Sequence, residues 1–368
     1  CGDRLVGVIR FGGIHREARS YAGPGPRGHR AFTALLAAFV LLSAAGPRAA
    51  RGGSTGQSEN TTVTLVAEPA SVQPGRPFYV GLRMRMKQGW HTYWKNPGDS
   101  GLPTSVEWTL PKGFIAGAIE WPAPERMPLG PEMSYGYPGE VLLAVLVTPP
   151  KTIEASSITI AGKVRWLECS NVCLPGSASL ELSLPVTHEE PAPGPDAAAF
   201  ATTRSRLARE GAAWNLTAIA GPRVIALDFR PPSGIVPGGA YLFVDQPLVV
   251  DYAALQPWGR AGDGFRLTAT PAANATSAPG ALTGVLVVQD ANAKGVSIPV
   301  RVDIPVVAGD PGPMQPAATE APPSEDWLGG VAKTAIAAAI FLYAAWAWTG
   351  SKRPPADPRT NGGPSGVV

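Results

Sequence analysis

The sequence is short of the residues from which metal centres and charged surfaces are built. Its 368 residues include three cysteines and four histidines, and one of the cysteines is residue 1. Past residue 50 only Cys169, Cys173, His91 and His188 remain. Neither histidine stands at ligand spacing to the cysteine pair, which argues against zinc. Charge is scarce as well, with Asp, Glu, Lys and Arg at 16%. The formal net charge of +3 misleads, because residues 1–50 hold seven Arg and two acids. The remaining 24 basic and 26 acidic residues leave −2. No basic footprint for nucleic acid survives. Patterns of long soluble helices are also missing, whereas 43 Gly and 40 Pro point to strands joined by many turns.

What is present falls into segments. Residues 1–50 read as a leader, and 27–50 read as a signal peptide: Arg27 and Arg30, the largely apolar run Ala31–Ala45, then small residues to Ala50. A lipidated Cys1 is the alternative for the start of the chain. From Thr61 the pattern turns to period two, as in Phe78, Val80, Leu82, Met84 and Met86, which marks half-buried strands. Further strands are expected over 105–110, 114–121, 141–148, 157–167 and 178–185, separated by Pro-Gly turn signals. Residues 61–187 thus predict an antiparallel sandwich of immunoglobulin-like architecture.

Residues 188–211 form a Pro-rich linker and a short helix, with Asp196 as its cap and Phe200, Arg204 and Leu207 on one face. Residues 212–307 predict a second, smaller β domain with strands over 224–229, 240–244, 265–270, 282–289 and 296–307. A Pro-rich linker, 308–326, leads to Leu328–Trp348, interrupted only by Lys333. As a helix those 21 residues measure about 31 Å, enough for one transmembrane span. Lys352 and Arg353 put the tail, 349–368, on the cytoplasmic side. The chain is therefore expected on the extracytoplasmic face of a membrane, with a single C-terminal anchor.

The cysteine pair lies in Trp166–Gly176, W-L-E-C-S-N-V-C-L-P-G. A ring of about five residues gains only ~2 kcal/mol from loop closure, where a ring of 100 gains more than 4. Cys169 and Cys173 therefore suit a bond that opens and closes. A structural staple and a metal site stand as alternatives. Leu174-Pro175-Gly176 is read as a sharp turn exposing one face of the pair. Thiol exchange of this kind requires no organic cofactor and no metal.

Three motifs occur in one order: G-W-H-T-Y-W-K-N-P-G-D-S-G-L-P-T at Gly89–Thr104, S-Y-G-Y-P-G-E-V at Ser134–Val141, and the cysteine motif. Together they resemble the periplasmic N-terminal region of the DsbD family of protein-disulfide reductases, especially its ScsB-like branch. The resemblance covers about Thr61–Val307. It implies an immunoglobulin-like domain whose cysteine pair takes electrons from a membrane reductase core, by way of a thioredoxin-like domain, and passes them to periplasmic disulfide proteins. It also implies that Cys173 is the exposed, partner-linking thiol. A cap loop over the disulfide would contain Glu132, Met133, Ser134, Tyr135 and Tyr137. Where the family places a shielding aromatic this chain has Ser134, so Tyr135 or Tyr137 is expected to substitute.

The chain lacks the family's multi-helix core and its C-x-x-C thioredoxin-like domain. It would therefore be a reductase module dependent on a separate electron donor, or part of a longer reading frame. Two alternatives stand beside it. One is a tethered, non-catalytic immunoglobulin-like binding protein with a structural disulfide. The other is a copper-tolerance protein that captures copper through the cysteine pair with nearby Met84, Met86, Met127 and Met133. Of these, Met84 and Met86 also fit the alternating strand pattern as core residues. His91, Lys95 and Asp99 form a further group, in which His91 can lower a cysteine pKa or the loop is simply a packed turn.

Overall fold

A computed structural model describes residues 53–275 and 277–317 of the chain. The leader 1–50, the apolar segment 328–348 and the tail 349–368 lie outside them. Among the described residues no helix is long and apolar enough to cross a membrane.

Among the described residues eleven strands precede an α-helix. They are β1 (Thr55–Gln57), β2 (Thr61–Ala67), β3 (Phe78–Met86), β4 (His91–Gly98), β5 (Ser105–Thr109) and β6 (Ile115–Glu120). Then come β7 (Glu125–Leu129), β8 (Glu132–Pro138), β9 (Glu140–Thr148), β10 (Ser157–Cys169) and β11 (Cys173–Pro185). They form two sheets, in the order β1-β2-β3-β9-β6 and β11-β10-β4-β8-β7, with β5 pairing β10. The period-two residues meet between the sheets. Val63, Leu65, Val80, Leu82 and Met84 from one sheet share a core with Ile160, Val164, Trp166, Leu180 and Leu182 from the other.

Helix α1 (Ala197–Arg206) follows β11. Asp196 makes no side-chain cap bond, because its carboxylate pairs with Arg83 at 2.8 Å. The buried face carries Phe200 and Thr203, while Arg204 turns outward to Glu68 at 2.6 Å. Phe200 packs on Val66, Leu142 and Ala144, covering the outer face of the first sheet.

After a 3-10 turn at Gly211–Trp214 come β12 (Thr217–Gly221), β13 (Val224–Phe229), β14 (Pro237–Val244) and β15 (Trp258–Ala261). Strands β16 (Gly264–Ala269), β17 (Ala281–Asp290), β18 (Ser297–Ala308) and β19 (Gln315–Pro316) complete the described residues. Their order is β14-β17-β18-β12-β13-β16-β15-β19. The long β18 pairs antiparallel with β17 and, at its end, parallel with β12. The sandwich and this C-terminal sheet belong to one compact unit. One buried cluster runs through both, so Trp94, Tyr135 and Tyr137 share a core with Phe243 and Tyr252.

Two segments read as loops are strands. In β4, Thr92, Tyr93 and Trp94 are buried in succession, and in β8 so are Ser134, Tyr135, Gly136 and Tyr137. A strand covered on both faces shows no apolar–polar alternation. Its aromatics suit a sheet even so.

Candidate functional site: a disulfide at a hairpin tip

Strands β10 and β11 pair in unbroken register from Ser157↔Pro185 to Cys169↔Cys173. The cysteines are therefore the last pair of a long ladder, opposed at a Cα–Cα distance of 4.2 Å and joined by a disulfide. The chain reverses through Ser170-Asn171-Val172, where the Ser170 N–H donates to the Val172 carbonyl at 3.1 Å. Leu174-Pro175-Gly176 is thus not the turn. These residues lie within β11, opposite Glu168, Leu167 and Trp166. Pro175 is tolerated because β11 is the outermost strand in the order of its sheet. Gly176 is required for a different reason: a Cβ there would lie 2.2 Å from the Trp166 ring.

The two sulfurs differ in access. Cys169 is fully buried and Cys173 is exposed. Cys169 faces His91 of β4 across the sheet on its other side. Two residues further along β4, the Tyr93 hydroxyl lies 3.5 Å from Cys173 Sγ. Burial, and after it the Glu132 carboxylate, pushes the Tyr93 pKa up, so the phenol keeps its proton and can donate to sulfur. His91 packs edge-on against Tyr93 with centroids 5.2 Å apart. Burial pushes its imidazole below the ordinary histidine value. The ring is therefore mostly neutral at pH 7 and brings little positive charge to the sulfurs.

Glu168, next to Cys169, is buried at the end of the sandwich core, where it ties the sheets together. Its carboxylate accepts from Ser58 Oγ at 2.5 Å, from the Asn60 N–H at 3.1 Å and from Asn60 Nδ2 at 3.3 Å. Burial pushes its pKa up, but the hydrogen bonds from Ser58 and Asn60 outweigh that and hold it below the ordinary carboxylate value.

The residues expected as a cap form most of β8. Glu132 is exposed and near enough to Tyr93 for its charge to be felt there. The Met133 N–H donates to Asp99 at 2.8 Å. Ser134 is buried, with its hydroxyl 3.4 Å from the Ser100 carbonyl. Tyr135 and Tyr137 direct their hydroxyls elsewhere, to Tyr241 at 2.9 Å and to the Pro122 carbonyl at 2.7 Å. The aromatic in contact with sulfur is Tyr93, which sequence reasoning left unassigned. It sits inside the quoted motif, but only the pairing of β4 with β10 brings it to Cys173. Lys95 and Asp99, grouped with His91 in sequence, are engaged by Asp245 at 2.7 Å and by the Met133 N–H. Met84 and Met86 are buried in the core. Among the described residues no cluster of three or more His, Cys, Asp or Glu is placed to hold a metal ion.

This geometry defines an antiparallel β sandwich with a disulfide at the rim, one sulfur open and one covered. The family model of the N-terminal domain of the thiol:disulfide interchange protein DsbD matches residues 62–185. The crystal structure of the N-terminal periplasmic domain of ScsB from Proteus mirabilis superposes with a TM-score of 0.51 at 20% identity. That match covers 70% of this chain and 98% of the other. The chain therefore carries a DsbD/ScsB-like N-terminal domain. Weaker matches are the yeast GGA1 GAE domain, at 10% identity and TM-score 0.22, covering 36% of this chain and 98% of that one. The periplasmic chaperone SfaE follows at 8% and 0.19, covering 67% and 100%. At those scores neither informs the fold. No curated protein matches the chain significantly.

Proposed function

We propose that the chain is an extracytoplasmic thiol–disulfide exchange module that passes electron pairs through Cys169 and Cys173 to disulfide-bonded proteins. The observation that carries this is the asymmetry of the pair, an exposed Cys173 bonded to a fully buried Cys169. A partner can reach only the first, so the order of events is set by access.

In the reduced module the Cys173 thiolate attacks one sulfur of a partner disulfide. A mixed disulfide forms and the partner's other sulfur leaves as thiolate. Cys169, deprotonated, then attacks Cys173 Sγ, releasing the partner's second thiolate and restoring the Cys169–Cys173 bond. Two electrons pass to the partner and its two thiolates take up protons. Recharging runs in reverse: a donor thiolate attacks Cys173 Sγ, Cys169 leaves as thiolate, and the donor's second thiol resolves the bond. Tyr93, with its proton retained, donates to Cys173 and stabilises the thiolate form. Residues 61–187 are the redox domain in this assignment, and residues 132–137 the cap over it. The donor is a membrane reductase core or a thioredoxin-like protein, and the targets are periplasmic disulfide proteins. The apolar segment 328–348 supports an anchor and the leader supports export.

Trapping tests the proposal. In Cys169→Ser, Cys173 forms mixed disulfides that nothing resolves, so covalent partner adducts are expected on non-reducing gels; Cys173→Ser should form none. Absence of adducts from both variants, with a reduction potential below about −300 mV, is the behaviour of a structural disulfide and would overturn it.

A further inference from the structure

The C-terminal sheet reaches the disulfide through one strand. Strand β4 presents Tyr93 to Cys173, and its next three residues turn to the C-terminal sheet. Its ladder to β8 runs in step through His91↔Pro138, Thr92↔Tyr137 and Tyr93↔Gly136, then slips and resumes at Gly98↔Ser134. Toward β10 it pairs at His91↔Cys169. Just beyond Tyr93, therefore, side chains take over the work of the ladder.

Asn96 does most of it. It is 3% exposed, and its Nδ2 donates to the Val244 carbonyl at 2.8 Å, with the Gln246 carbonyl and the Tyr252 hydroxyl both at 3.3 Å. On either side, Lys95 pairs with Asp245 at 2.7 Å and Trp94 packs edge-on against Phe243. The Asn96 Oδ1 accepts the Gly98 N–H at 3.2 Å and so starts the return of the chain. That return depends on Gly98 and Gly101, at φ 88° and 118°. It brings Gly101 so close to Tyr93 that a Cβ there would lie 2.2 Å from the ring. Asn96 thus fixes the strand that carries Tyr93 and the loop that backs its ring, using carbonyls of the C-terminal sheet as anchors. A buried side chain that satisfies several partners at once holds one geometry, since each alternative leaves a polar group unpaired.

We propose that Asn96 is a positioning residue through which the C-terminal sheet sets the distance from the Tyr93 hydroxyl to Cys173 Sγ, and with it the reactivity of that thiol. The inference rests on the assignment of Cys173 as the attacking thiol. It makes the C-terminal sheet part of the redox site and gives a physical task to the Lys95-Asn96-Pro97-Gly98 run of the first motif.

The test follows alkylation of Cys173 by iodoacetamide in the reduced full chain, read on the Cys173 peptide by mass spectrometry across a pH series. Loss of the hydroxyl in Tyr93→Phe should slow the reaction at pH 7 about fivefold and move its midpoint to higher pH. Asn96→Ala should reproduce most of that change. Tyr252→Phe, which keeps both carbonyl anchors, should give a smaller shift in the same direction. The double variant Tyr93→Phe/Asn96→Ala should react no more slowly than Tyr93→Phe alone, because Asn96 acts through Tyr93. Two results overturn the proposal: a lower Tm in Asn96→Ala with the native Cys173 profile, or equal slowing by Asn96→Ala whether or not Tyr93 is present. If Asn96→Ala does not fold, Tyr252→Phe alone and combined with Tyr93→Phe decides by the same comparison. If Tyr93→Phe changes nothing while Cys169→Ser still traps partners, this inference falls and the exchange function stands. If trapping fails too, both fall.

Discussion

Opening the Cys169–Cys173 bond should leave the protein folded, and the structure says by how wide a margin. The bond closes a ring of about five residues, whose loop-closure contribution is only ~2 kcal/mol. The hairpin that holds it buries Ile158, Ile160, Val164, Trp166, Leu180, Leu182 and Leu184, each at 6% exposure or less. At about 1.5–3 kcal/mol for each such side chain, their burial contributes on the order of 10 kcal/mol or more, and none of it depends on the disulfide. Once reduced, the Cys169 thiol packs as a small apolar group in the place it already fills. Loss of ~2 kcal/mol corresponds to a fall in Tm of about 4–8 °C for a unit of this size. Thermal unfolding followed by circular dichroism, on oxidised protein, reduced protein and Cys173→Ser, should show cooperative transitions in all three within that range. Loss of the β signal at 25 °C on reduction, or a fall beyond about 15 °C, would refute the reasoning and make the bond a staple.

Two further predictions concern the residues around the pair. Glu168 has a folded-state pKa below its unfolded value, so its carboxylate contributes stability that is fully present above the unfolded pKa and is lost as pH falls through the folded one. In urea denaturation Glu168→Gln should therefore be clearly less stable than the native chain at pH 7, and the gap should narrow below about pH 4; a gap independent of pH would contradict the assignment. Gly176→Ala places a methyl group 2.2 Å from the Trp166 ring, within the unbroken β10–β11 ladder. It should cost about 1–3 kcal/mol in the same assay, and a neutral result would mean that the ring is free to move aside.

The recurring two-residue period is legible in the sequence wherever one face of a strand meets the core, as in Phe78–Met86 and Ser157–Cys169. So is the proximity of Cys169 and Cys173, because four positions of separation admit few geometries. Strands β4 and β8 are not, since both faces are covered and the alternation that announces a strand disappears. The Pro-Gly after Cys173 looked like a turn and proved to be strand, because an edge position removes the usual objection to proline. Tyr93 beside Cys173, and Asn96 against Val244, join residues 80 and 148 positions apart. Such pairs follow from register and from which surfaces meet, and those are set by the whole packed core. The chain by itself thus determined that two thiols would lie together at a strand end. Tertiary structure alone decided which phenol stands over them, and it makes Cys173, the thiol the resemblance implied, the one that water and partners can reach, because access and alignment are properties of packed surfaces.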